Sequence, residues 1–240
     1  LVDMITDKEK TYEAVMRLGV VTDTQDMSGT VLSQASELHV TEEELRAAIE
    51  SFAGDYMQVP PMYSALKVNG KKLYELAREG KTVERKPRPV HFYEIEILEI
   101  NLPLVRFCVT CSKGTYIRTL CHDIGEKLGC GAAMETLLRT KVGRFTLDDA
   151  ITLSQTEEAV KNGKIESKVL GIEEILAEYP RVCCTKEGDR LLANGNPLVQ
   201  ALVDAEEKDG WIRMCNSEGS FVGVYQWDEK RDRYFPVKMF

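Results

Sequence analysis

Residues 111–120 read "CSKGTYIRTL". An apolar strand pattern, "LVRFCVTC" (104–111), ends there and a helical one begins. Ile117, Leu120, Ile124 and Leu128 recur at helical spacing, and Gly129 follows as a stop. A strand that feeds a helix through Ser-Lys-Gly predicts an α/β chain. The stretch also sets a problem. Arg118 falls in the first turn of that helix, where the unpaired N–H groups already carry partial positive charge, and a cation there costs about 0.3–1 kcal/mol. A half-buried carboxylate or a phosphate would offset that cost; otherwise the guanidinium snorkels to water. Tyr116 beside it is either core, with its hydroxyl on the backbone, or the wall of an aromatic pocket.

Upstream, "TYEAVMRL" (11–18) alternates as a strand, with Tyr12, Ala14, Met16 and Leu18 on one face. Tyr12 therefore reads as core unless that face opens into a cleft, where it could stack on a base. "GVVTDTQDMSGTV" (19–31) reads as a loop. Thr41 and Glu44 form a capping box for a helix with Leu45, Ala48, Ile49 and Phe52 inward, ended at Gly54. Asn69-Gly70 is a tight-turn signal, followed by a short helix with Leu73, Leu76 and Ala77 inward. Residues 90–100 and 104–111 read as strands joined by Asn101-Leu102-Pro103. Downstream of the 116–128 helix, Met134, Leu137 and Leu138 predict another short helix. After about residue 150 a polar connector leads to short apolar runs at 198–203, 211–214, 221–225 and 234–239, separated by Gly and Asp: a small β-rich unit. The expected organisation is a mixed, largely antiparallel sheet with flanking helices over 1–165 and a β-rich domain over 166–240.

The chain has 240 residues and a net charge of −8, unevenly spread. Residues 1–62 hold 4 Lys/Arg against 12 Asp/Glu, residues 63–145 hold 15 against 9, and residues 146–240 hold 12 against 18. A basic island thus sits between acidic flanks, and local field matters more than the sum for a polyanion. Eight Lys/Arg fall between Met62 and Arg88, interleaved with Tyr63 and Tyr74. The Asn69-Gly70 turn brings Lys67, Lys71 and Lys72 together. That mixture suits RNA, where cations meet phosphates and rings meet bases, and it also describes a basic solvated helix.

No apolar run approaches the ~20 residues of a membrane helix, and no signal peptide is visible. The seven Cys read as free thiols of a reducing compartment, the cytoplasm. Cys108 and Cys111 form a C-x-x-C, but in a strand positions i and i+3 face opposite ways, which disfavours a zinc knuckle. No catalytic triad or Gly-rich phosphate loop occurs, and His39, His91 and His122 stand apart from other ligand patterns.

Four pieces, "RLGVVTDTQDMSGTV", "VPPMYSALKVNGKKLYELAREG", "CSKGTYIRTLCHDIGEKLGCGA" and "LLRT", occur in one order over about residues 8–155. Together they resemble the TruB family of tRNA pseudouridine synthases; "LLANGNPL" is similar to the PUA-like C-terminal domain of many members. The resemblance implies that a uridine of the tRNA T-loop is flipped out and isomerised to pseudouridine, without cofactor or metal, after attack by an aspartate. It implies that Tyr12 stacks on the flipped base, that Tyr116 lines the uracil pocket, that the Leu137 backbone contacts the base, and that Arg118 pairs with the nucleophilic aspartate. Lys67, Lys71 and Lys72 are the expected contacts to the T-stem-loop. The family's aspartate lies in a Gly-Thr-Leu-Asp-Pro segment that these 240 residues lack. Thr146-Leu147-Asp148 follows the other motifs and reads as a helix cap. The expectation is therefore a synthase that starts after its nucleophile segment, inactive alone, with Arg118 missing its partner. Two other classes fit less of the pattern: a non-catalytic RNA-binding or chaperone module, and a zinc-binding interaction domain.

Overall fold

The computed structural model describes residues 1–6, 8–204 and 207–240. They fall into two units, Leu1–Ala150 and Ile151–Phe240. The second unit thus begins upstream of residue 166, and the polar stretch that follows Ile151 opens with a helix, "LSQTEEAVK", capped by Thr152.

In the first unit a short helix α1 (Val2–Thr6) precedes β1 (Lys10–Leu18). Ala14, Met16 and Leu18 alternate inward along β1, as the sequence requires. The polar stretch after Leu18 is more than a loop. It forms a hairpin, β2 (Val20–Thr22) with β3 (Val31–Gln34). Helix α2 (Glu42–Glu50) carries the complete Thr41–Glu44 capping box and buries Leu45, Ala48 and Ile49. Then follow β4 (Gly54–Gln58), the hairpin β5 (Lys67–Val68) and β6 (Lys71–Lys72), and α3 (Leu73–Arg78). The long strands β7 (Arg88–Asn101) and β8 (Leu104–Cys111) lead to α4 (Ile117–Leu128), β9 (Ala132–Val142) and β10 (Phe145–Thr146).

The main sheet has the order β10-β9-β1-β8-β7-β4, and its paired strands are antiparallel. Helices α2 and α4 pack on one face over Met16, Phe92, Val105, Phe107 and Val109. Ile117, Leu120 and Ile124 of α4 are buried there, each contributing about 1.5–3 kcal/mol. Gly125 sets how close α4 lies. A Cβ at that position would come within 2.1 Å of the Ala132 amide nitrogen. The opposite face is polar, crossed by the ion pairs Arg17–Glu135 at 2.6 Å and Arg106–Glu13 at 2.8 Å.

Met134, Leu137 and Leu138 belong to β9, not to a helix. Met134 lies opposite Met16 and Leu137 opposite Ala14, with the register shifted between Val15 and Met16. The extra residue of that bulge puts positions three apart on one face, so a bulged strand imitates helical spacing. Asp148 caps nothing. It lies in a turn before the next helix, whose cap is Thr152. Cys108 and Cys111 are on opposite faces of β8, Cys111 within the core and Cys108 facing Glu94, Glu96 and Glu13.

The second unit contains α5 (Leu153–Lys161), α6 (Ile172–Ile175), β11 (Arg181–Cys183), α7 (Asp189–Ala193), β12 (Trp211–Cys215), β13 (Phe221–Asp228) and β14 (Arg233–Met239). Its sheet runs β11-β12-β13-β14, with only the first pair parallel. Tyr225, Tyr234, Met214, Leu192 and Leu198 form its core. Among the described residues no helix is long and apolar enough to cross a membrane.

Candidate active site

The first turn of α4 has no side-chain cap of its own. Gln58, at the end of β4 and 1% exposed, supplies one from outside. Its amide oxygen accepts from the Tyr116 N–H at 2.9 Å and its amide nitrogen donates to the Tyr116 carbonyl at 3.1 Å. A buried amide thus fixes the strand–helix junction and, with it, the direction in which Arg118 leaves the helix. Tyr116 itself is half-buried.

Arg118 does not reach into water. Its Nη1 donates to Asp26 Oδ2 at 3.0 Å, with the two side chains 20% and 16% exposed. Its Nη2 donates to the Tyr63 carbonyl. The guanidinium therefore has a carboxylate partner within these 240 residues. The sequence motifs do not reveal it, because they point to a nucleophilic aspartate in another segment.

Asp26 sits in the turn between β2 and β3. Its Oδ1 accepts from the Ser28 N–H at 3.1 Å, the Ser28 hydroxyl and the Thr24 hydroxyl at 2.8 Å. Its carbonyl accepts from the Thr22 hydroxyl at 2.8 Å. Burial pushes the carboxyl up, but the bonds from Ser28, Thr24 and Arg118 outweigh it and hold Asp26 below the usual carboxylate range. Gly29 lets the turn close. A Cβ there would lie 2.3 Å from Asp23 Oδ1 and Thr24 Oγ1. The turn docks on β9 through Met134 N–H to the Gln25 carbonyl, 3.0 Å, and Met27 N–H to the Met134 carbonyl, 3.0 Å.

A short way along β9 from that docking point the sheet becomes open. Leu137, Leu138 and Arg139 are all exposed. Tyr12 lies opposite Arg139 and Ala14 opposite Leu137, so Tyr12, Leu137 and Arg139 share one face at the uncovered end. Burial, and then the neighbouring Cys111, pushes the Tyr12 phenol up, partly offset by the Arg139 guanidinium and its hydrogen bond. A half-buried ring beside an exposed Leu and a cation is a surface that can receive a flat polar ring. Arg139 lies within the "LLRT" motif, but neither its spacing nor the resemblance assigns it a role at the site.

The Asn69-Gly70 hairpin places Lys67 directly opposite Lys72 and Val68 opposite Lys71. Lys71 Nζ lies 3.5 Å from Glu79, and Lys72 Nζ lies over the Tyr74 ring at 5.4 Å. Among the described residues no three His, Cys, Asp or Glu side chains converge as a metal site.

Residues 1–117 match the model of the TruB family pseudouridylate synthase N-terminal domain, and residues 118–177 that of the tRNA pseudouridylate synthase B C-terminal domain. The tRNA pseudouridine synthase B of Lachnoclostridium phytofermentans is 46% identical over 254 residues, an alignment covering 100% of this chain and 82% of the relative. That of Clostridium novyi is 48% identical over 225 residues, covering 93% and 76%. The fold is similar to a chain of a Cbf5-Nop10-Gar1 complex, with a TM-score of 0.69 and 23% identity over 100% of this chain and 68% of that one. It is also similar to a chain of an H/ACA RNP bound to a substrate RNA containing 2'-deoxyuridine, with a TM-score of 0.68, 20% identity and the same coverage.

Proposed function

From the premise that the chain belongs to the TruB family of pseudouridylate synthases, we propose that it serves the isomerisation of a flipped T-loop uridine of tRNA to pseudouridine. The observation that supports this reading best is the Arg118–Asp26 pair at the first turn of α4, with the docked turn leading along β9 to the open face of Tyr12, Leu137 and Arg139. An enzyme that acts on a stacked base must extrude it, at a cost of a few kcal/mol, and receive it against rings. In this reading Tyr12 stacks on the uracil, Tyr116 lines the pocket, the Leu137 backbone contacts the base edge, and Arg118 presents its guanidinium to the attacking carboxylate. Lys67, Lys71 and Lys72 meet the phosphates of the T-stem-loop. The β-rich second unit acts as a PUA-like RNA-binding domain.

Asp26 is poorly suited to be the nucleophile. One oxygen accepts three hydrogen bonds, from the Thr24 hydroxyl and from the N–H and hydroxyl of Ser28, which stabilise the anion in its turn and lower its reactivity. The family's Gly-Thr-Leu-Asp-Pro segment does not occur in these 240 residues. We propose that these residues alone bind T-stem-loop RNA and do not isomerise it. Incubation with T-stem-loop RNA, followed by chromatography of its nucleosides, tests this. Binding without pseudouridine is the expected result. Pseudouridine made by these 240 residues would overturn this and require an aspartate within them, Asp26 or Asp148, as the nucleophile.

A further inference from the structure

Arg118 and Thr119 are consecutive in α4, and Gln25 and Asp26 are consecutive in the β2–β3 turn. The two pairs make two parallel links. Beside the Arg118–Asp26 ion pair, the Thr119 hydroxyl donates to Gln25 Oε1 at 2.7 Å. Thr119 is 1% exposed, so this bond is shielded from water.

Gln25 adopts φ +65°, a left-handed conformation that residues with a side chain rarely take and that glycine or asparagine occupies more readily. Glycine would relieve the backbone but has no amide. Asparagine is one methylene shorter. The backbone bonds that dock the turn, Met134 N–H to the Gln25 carbonyl and Met27 N–H to the Met134 carbonyl, do not need a particular side chain at 25. What a glutamine adds there is the bond to Thr119.

We propose that Gln25 and Thr119 are positioning residues, whose amide–hydroxyl bond registers the turn on α4 so that the Asp26 carboxylate meets Arg118. A neutral link neither titrates with the carboxylate nor weakens with salt as an ion pair does. It would keep Asp26 in place while Arg118 exchanges or shares partners. Its bearing on catalysis rests on the reading of Arg118 as part of the uridine site; the coupling to Asp26 does not.

The test is a carbon-detected NMR titration of the Asp26 carboxyl in the 240-residue chain. Gln25→Gly and Thr119→Val are expected to move its pKa up toward the ordinary aspartate value, with Thr119→Ser returning it to the wild-type position. Gln25→Gly should stay folded with a Tm near that of the wild type, since the relieved φ offsets the loss of the buried bond to Thr119. It also carries the test should Thr119→Val fail to fold. An Asp26 pKa unchanged in folded Gln25→Gly would overturn the proposal. In a form carrying the family's Gly-Thr-Leu-Asp-Pro segment, Thr119→Val should lower kcat about tenfold, the scale of one missing hydrogen bond, with KM nearly constant. A raised Asp26 pKa with unchanged kcat would uphold the coupling and count against the placement of the uridine site.

Discussion

Arg118 and Asp26 differ in how visible they are to a reader of the sequence, and the reason is physical. A cation in the first turn of a helix opposes the local dipole, so it announces that something offsets it. An aspartate in "TDTQDMSG" is at home in any turn and announces nothing, although it is the partner. Asp26→Asn should destabilise the fold by about 1–3 kcal/mol, because it leaves a guanidinium without its counter-charge in a mostly buried place; thermal denaturation at neutral pH measures this. The pH dependence follows in sign. The folded carboxyl of Asp26 lies below its ordinary value, so its contribution is full above that value and is lost as pH falls through the folded pKa. In Asp26→Asn that loss should disappear from the acid limb of Tm against pH. Asp123 shows the opposite behaviour. Burial raises its carboxyl despite a 2.9 Å bond from the Tyr56 hydroxyl, and the same pair pushes the Tyr56 phenol up to about 12, burial being the larger cause. A raised acid favours the fold at low pH and loses that contribution as pH rises through its folded pKa. Asp123→Asn keeps an acceptor for Tyr56 and sheds the buried charge, so Tm at pH 7 should rise by about 2–4 °C; a fall would mean that the charge itself holds α4.

At the scale of elements, legibility tracks whether the deciding interaction is local. The Thr41–Glu44 box and the Asn69-Gly70 turn are complete within a few residues, and both occur as read. So does the stop at Gly129, in the left-handed region with φ 71°. β9 is illegible in the sequence because its bulge against β1 is a property of two strands, and only the pairing shows that Met134 and Leu137 share a face. The β2–β3 hairpin hides for a related reason: all four residues of β3 are exposed, so no apolar alternation marks it. Gln58 is equally silent, since its task is to cap a helix 58 residues away. Gly125 is the element-scale counterpart of these contacts. It looks like a weak point inside α4, yet backbone fills the space where its Cβ would be. Gly125→Ala should cost about 1–3 kcal/mol despite the better helix propensity of Ala. Faster amide exchange in α4 and the first residues of β9 would be the accompanying sign, and a stabilised variant would show that α4 can move off the sheet freely.

Over the whole molecule, the net charge of −8 and the basic island of residues 63–145 act at different ranges. Beyond a Debye length of about 8 Å in physiological salt the sum is screened, so in the proposed reading a T-stem-loop would meet the field of the hairpin surface itself. That surface is restrained. Glu79 lies 3.5 Å from Lys71 and 2.7 Å from Lys81, while Lys67 and Lys72 oppose each other across the turn. Like charges face to face weaken a strand pair, and an exposed ion pair holds its partners only loosely. A phosphate that neutralises Lys67 and Lys72 therefore relieves a repulsion, and the Lys71–Glu79 pairing is easily given up. Lys71→Glu with Lys72→Glu should weaken binding of a T-stem-loop, and each phosphate left without its cation should flatten the plot of log affinity against log salt by about 0.7–0.9. Glu79→Gln should act in the other direction, tightening binding and steepening the slope, because it releases two cations without adding one. If neither variant alters the slope, the hairpin lies outside the RNA interface, and the charge of residues 63–145 serves solubility alone.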